Sequence, residues 1–186
     1  MTVTLVVVGT NSDAFHTFSH IRQGVDIRLV VNDSRRALAA IGNEQLLTSA
    51  EVFGLVHADT VFRTGALEAF CAEATKGHVC GIVGRSVGGE YRWCHNNPGE
   101  VCTLDSCGVF FPTLSGLRFD ANRFDSFHCY VEDLCMQARQ IGMKVTVPHA
   151  AASHVPNFPS SEWSAQYAFY RNRLVQKWAG FQLWTT

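Results

Sequence analysis

The stretch VFGLVHADT, Val52 to Thr60, decides how this chain folds. Val52 to Val56 is a continuous apolar run, the pattern of a strand buried on both faces. The run stops at His57-Ala58-Asp59, which sets an imidazole and a carboxylate one residue apart where a core strand ends. Two earlier runs have the same form. Val3 to Val8 is β-branched and ends at Gly9-Thr10-Asn11; Ile27 to Val31 ends at Asn32-Asp33-Ser34. Between them Phe15, Phe18 and Ile21 have helical spacing. Ser34 is suited to cap a helix over Arg35 to Ile41, and Thr64 precedes a helix whose Leu67, Phe70, Cys71 and Ala74 share a face. Val79 to Val83 reads as a fourth strand. Apolar strands alternating with helices predict a mostly parallel sheet covered on both faces. In such sheets ligands bind beyond the carboxyl ends of the strands. The clusters ending in Asn11, Ser34 and Asp59 are therefore expected along one edge.

The second half reads differently. Glu90 to Trp93, Val101 to Leu104, Val109 to Phe111 and Lys144 to Val147 are short strand signals. Tyr130 to Ile141 is a helix with Val131, Leu134, Cys135, Ala138 and Ile141 as its apolar stripe, and Gly142 is placed to end it. Trp163, Tyr167, Tyr170, Leu174 and Trp178 form an aromatic stripe on a last helix. The expected product is one α/β domain over residues 1–186 with a mixed sheet, residues 157–186 forming its aromatic C-terminal helix.

Composition limits the function. The 186 residues are enough for one good core, and 47% hydrophobic with 17% charged residues is the balance of a folded globular chain. A net charge of −1 carries no basic surplus, so nucleic acid is not an expected partner. The opening MTVTLVVVGT lacks the positive region of a signal peptide, and no apolar stretch approaches a bilayer span of about 20 residues. Seven cysteines, scattered and without a C-x-x-C pair, read as reduced buried thiols suited to the cytoplasm. A thiolate zinc site is not expected from that spacing.

Four groups of residues carry the candidate chemistry. Asp59 can coordinate a divalent cation and His57 suits manganese; equally, Asp59 can cap the following turn beside a surface histidine. Asn32 and Asp33 can bond a nucleobase or ribose, or simply cap a helix. Glu132 and Asp133 open the Tyr130 helix, where the helix dipole alone favours acids, but one of them can also deprotonate an acceptor hydroxyl. His154 can complete a metal site begun by Asp59, or serve only structure. Arg171, Arg173 and Lys177 on the last helix can contact a phosphate or an acidic acceptor, but read by default as a solvated face.

Taken in order, these segments resemble the GT-A glycosyltransferases, in particular family-2-like enzymes and among them the small streptomycin-biosynthesis-like subgroup. Val6-Val7-Val8-Gly9-Thr10-Asn11 is similar to the nucleotide-binding opening, and Leu29 to Ser34 to the segment holding the donor's base. Phe53 to Asp59 is similar to the strand carrying the D-x-D metal motif, and Arg63 to Glu68 to the helix start after it. Asp105 to Phe111, Gly116 to Asp120, Phe127 to Cys135 and Ser153-His154 continue the likeness, which covers roughly residues 3 to 155. The resemblance implies a single-domain GT-A fold, Rossmann-like, with a mostly parallel mixed sheet flanked by helices. It implies transfer of sugar from a nucleotide-sugar donor, usually a UDP-sugar such as UDP-glucose, to a saccharide or other hydroxyl, with Mn2+ or Mg2+ and inversion. Asp59 would be the principal metal ligand, with His154 and His57 beside it. Gly9, Thr10, Asn11, Asn32 and Asp33 would line the donor site, and the Glu132–Asp133 pair would supply the base, Asp133 first. Two departures stand out: His57 replaces the first carboxylate of D-x-D, and the segment between the Asn32 and Val52 strands is short. The competing functions are a non-catalytic nucleotide-sugar or carbohydrate-binding module on this fold and a nucleotidyltransferase; against the latter, no Gly-rich basic phosphate loop opens the chain.

Overall fold

A computed structural model describes residues 2–10, 24–48, 50–154 and 160–181, the side chains of 160–164 excepted. Asn11 and the segment with Phe15, Phe18 and Ile21 lie outside the described residues, as does the Trp163 side chain. In chain order the elements are β1 (Val3–Gly9), β2 (Val25–Val31), α1 (Leu38–Leu46), β3 (Val52–His57), β4 (Thr60–Phe62), α2 (Ala66–Thr75), β5 (Val79–Gly81) and β6 (Val83–Arg85). They continue as β7 (Tyr91–Trp93), β8 (Gly99–Glu100), β9 (Thr103–Leu104), β10 (Gly108–Pro112), α3 (Tyr130–Gln140), β11 (Val145–Val147), β12 (Ala152–His154) and α4 (Ser160–Lys177).

Seven strands form the main sheet in the order β2-β1-β3-β10-β5-β11-β8. β1 pairs parallel with both β2 and β3, and β5 parallel with β11; β10 and β8 run against their neighbours. The sheet is thus mixed, with most strands in one direction. Side chains alternate between its faces. On one face Phe110 of β10 stacks on Phe70 of α2, ring centroids 4.9 Å apart, with the Phe62 edge against both. Gly54 lies across from Phe110, and a Cβ there would sit 2.5 Å from the Phe110 ring, so the middle of β3 must be glycine for this layer to close. On the other face Phe53, Phe111, Phe119 and Tyr130 interlock at 5.4–6.5 Å. α1 presses onto that layer at Gly42, whose missing Cβ leaves room for the Phe119 ring. Helices cover both faces, as a both-sides-apolar strand requires.

Four local expectations are corrected. The first described helix starts at Leu38, and no side chain caps it at Ala37. Asn32 instead ties the loop, donating from Nδ2 to the Arg36 carbonyl and accepting from the Arg36 amide, both at 2.8 Å, while Arg35 takes φ 53°. Val79–Val83 is two strands, because the chain leaves the main sheet at Ile82, whose carbonyl accepts from Cys94 N just after β7, and continues as β6 in a separate three-stranded sheet, β7-β6-β9. The Val101–Leu104 strand shrinks to β9: Val101 N bonds Val145 O and Cys102 N bonds Arg85 O, so the chain crosses between sheets there. Ile141 falls just past α3 and is exposed, with Gly142 at φ 81° ending the helix as expected. All seven cysteines are free and buried. The stripe holds from Tyr170 through Leu174 in α4 to Trp178 just past its end, all buried.

Candidate functional site

The parallel register brings the strand ends together. Gly9 is level with Val31, and Val8 with His57. The chain beyond each strand then hooks onto its neighbour: Asn32 N donates to Gly9 O at 2.7 Å and Ala58 N to Val8 O at 2.9 Å. Gly9 and Thr10, Asn32 and Asp33, and His57 and Asp59 therefore lie along one sheet edge. Thr10 and Asp33 are exposed there, whereas Asn32 is buried with its amide committed to Arg36.

Asp59 sits in the turn between β3 and β4, and β12 pairs antiparallel with β4 so that His154 is level with Thr60. That pairing delivers the histidine from the far end of the sequence. One ligand atom each of His57, Asp59 and His154 lies within 4.8 Å of the others. His154 Nε2 and Asp59 Oδ1 are 3.1 Å apart without hydrogen-bond alignment, and the two imidazoles meet edge-on at 5.8 Å. Among the described residues buried His57 Nε2 has no hydrogen-bond partner, and buried Asp59 Oδ1 and His154 Nε2 meet only each other, as that ion pair. A buried polar atom left unpaired is costly and rare. His57 Nε2 is such an atom, and its convergence with His154 Nε2 and Asp59 Oδ1 makes a donor set of two imidazole nitrogens and a carboxylate oxygen that fits a divalent cation. Electrostatics agree. Burial holds the His57 imidazole below its usual pKa despite the nearby Asp59 charge, which keeps its lone pair free for a cation. Burial pushes the Asp59 carboxyl up, but contact with His154 and the charges of both histidines outweigh it and leave Asp59 below the ordinary carboxylate range.

β10 starts beside this triad because it runs antiparallel to β3. Cys107 O accepts from His57 N at 3.0 Å and from Thr60 Oγ1 at 3.1 Å, bracing both sides of the His57–Asp59 turn. Asp105 Oδ1 accepts from Cys107 N at 2.9 Å, and Asp105, Cys107 and His154 form a second set of ligand atoms within 4.8 Å. Sequence reasoning did not assign Asp105 or Cys107 to the site. The available signal was that a strand antiparallel to β3 must begin where β3 ends.

The acidic pair on α3 is placed differently from an open catalytic group. Glu132 and Asp133 are both buried in the first turn. Asp133 Oδ1 accepts from Trp178 Nε1 at 2.8 Å, its Oδ2 from Gln137 Nε2 at 2.8 Å, and Lys177 Nζ lies 2.8–2.9 Å from both oxygens. A carboxylate has about four acceptor positions, and these contacts use them. Lys177 also bonds Asp120 at 2.8 Å, so it is not a solvated charge but a clasp between α4, α3 and the loop before α3.

The architecture has counterparts among solved structures. GalNAc-T7, solved with UDP, GalNAc and Mn2+, superposes with a TM-score of 0.71 at 9% identity, over 97% of this chain and 48% of that one. This is the GT-A fold. TarS residues 1–349 from S. aureus superpose at 0.53 with 10% identity, over 95% of this chain and 72% of that one. A197 from STIV superposes at 0.52 with 14% identity, over 84% and 87%. No protein-family model and no curated protein sequence matches the chain. The chain spans about half the length of the GalNAc-T7 chain. Among the described residues no helix is long and apolar enough to cross a membrane.

Proposed function

We propose that this GT-A chain is a metal-dependent glycosyltransferase, moving a sugar from a UDP-sugar to an acceptor hydroxyl with inversion at the anomeric carbon. The observation that carries the reading is the convergence of three buried ligand atoms from His57, Asp59 and His154 at the carboxyl edge of β1, β2 and β3. UDP and Mn2+ in the GalNAc-T7 structure support the choice of donor and ion. Residues 1–186 are taken as one catalytic unit.

Asp59, His57 and His154 would hold the cation, and two imidazoles favour Mn2+ over Mg2+, which prefers oxygen ligands. When bound, the ion supplies Lewis-acid stabilisation of the departing diphosphate. Gly9 and Thr10 would flank the diphosphate, and exposed Asp33 would reach the uridine while Asn32 holds its loop in shape. The Glu132–Asp133 pair takes the acceptor's proton. Asp133 can do so only if Lys177 and Trp178 withdraw, since its oxygens are otherwise engaged.

The test is UDP-sugar hydrolysis without acceptor. Wild type is expected to release UDP with Mn2+ present, and Asp59→Ala to lose about 100-fold or more, the scale of a Lewis-acid contribution of several kcal/mol. An Asp59→Ala variant with unchanged turnover would rule the mechanism out. A second reading, a nucleotide-sugar-binding module without turnover, is favoured by the engagement of Asp133. It predicts Mn2+-dependent UDP binding with no hydrolysis in wild type.

A further inference from the structure

His154 belongs to two ligand sets at once. One joins it to His57 and Asp59, the other to Asp105 and Cys107. The two sets differ in chemistry. The first offers nitrogen and oxygen; the second adds a sulfur. Thiolate selects borderline and soft ions such as Zn2+ over Mn2+ or Mg2+. We propose that Asp105, Cys107 and His154 form a second divalent-metal site, selective for a thiophilic ion such as Zn2+, that competes with the Asp59 site for His154.

Three features carry this. The ligand atoms of the second set lie within 4.8 Å of one another, and one zinc ion reaches its ligands at about 2.0–2.3 Å, so small side-chain movements complete the site. The set is also held from behind. Cys107 N is fixed to Asp105 Oδ1 at 2.9 Å, and Cys107 O is fixed to His57 N and Thr60 Oγ1, so the first residues before β10 cannot drift from β3 and β4. Finally, Cys107 differs in its surroundings from the other thiols with a defined contact: Cys80 donates to Phe70 O and Cys94 to Ala152 O, whereas the Cys107 side chain is hydrogen-bonded to Asp105, the acid of its own ligand set. Among the described residues buried His154 Nε2 meets only Asp59 Oδ1, 3.1 Å away, and is otherwise open to whichever ion is present. Forming the sulfur–metal bond releases the thiol proton to solvent, and nothing is oxidised or reduced. An ion drawn to Cys107 takes His154 from Asp59, so zinc acts as an inhibitor of whatever the first site binds. The inference rests on the reading of His154 as a metal ligand.

The probe is Co2+, which reports thiolate ligation by a near-ultraviolet charge-transfer band. Titration of the full chain with Co2+ is expected to produce that band, retained in Asp59→Ala, absent in Cys107→Ser and diminished in Asp105→Asn, and to lose it when Zn2+ is added. Asp105→Asn is the second variant because Cys107 is buried, and circular dichroism checks that both remain folded. No band in the folded wild type, or an equal band in folded Cys107→Ser, overturns the second site, whatever UDP binding does. Asp59→Ala that keeps the band yet leaves Mn2+-dependent UDP binding unchanged overturns the first reading instead.

Discussion

Gly54 fixes the strand that presents His57 and Asp59. Its absent side chain is the space into which Phe110 stacks on Phe70. Gly54→Val is expected to lower stability by about 1–3 kcal/mol, the usual cost of overpacking a filled core, read as a shift in the denaturation midpoint with an unchanged slope. An unshifted midpoint would show that this layer is not close-packed. A second residue, His128, sets a pH response. It is buried against Tyr167, and burial holds its pKa below the usual value despite the charge of Asp105. The unfolded chain therefore takes up a proton near pH 6.5 while the folded chain does not, so this group's contribution to stability falls as pH drops below about 6.5. Thermal melts from pH 7.5 to 5.5 are expected to show a falling Tm in wild type and a shallower fall in His128→Phe. Equal slopes would mean that His128 titrates alike in both states.

At the scale of elements, the contact between α3 and α4 turns on Asp133. The carboxylate is fully buried and meets Lys177, Trp178 and Gln137. Removing one partner of a buried ion pair strands the other, a loss of about 3–5 kcal/mol. Lys177→Met is accordingly expected to destabilise by that amount, leaving buried Asp133 uncompensated, and Asp133→Ala by less, since Lys177 keeps Asp120 while Trp178 Nε1 loses its acceptor; both are expected to raise amide exchange in α4. If either substitution left stability and exchange alone, the carboxylate would not anchor α4, whatever its effect on turnover. Sequence spacing shows Asp133 in a first turn and Lys177 on a last helix, but not that they meet, because 44 positions separate them.

At the scale of the whole molecule, what the sequence reveals is what local pattern encodes. Apolar runs Val3–Val8, Ile27–Val31 and Val52–Val56 announce parallel strands, and parallel strands align their polar ends, as Gly9, Asn32 and Asp59 do. What it conceals depends on pairing between distant segments. His154 reaches Asp59 only through the β12–β4 ladder, and Asp105 and Cys107 reach His154 only because β10 runs backwards beside β3. The breaks at Ile82 and between Glu100 and Thr103 were illegible for the same reason: one continuous apolar run serves two sheets. The measurement closest to the central claim is calorimetric titration of UDP into wild type and Asp59→Ala, each with and without Mn2+. UDP is expected to bind wild type only with Mn2+ and not to bind Asp59→Ala in either condition; binding that is indifferent to Mn2+, or undiminished in Asp59→Ala, would overturn the metal-dependent reading.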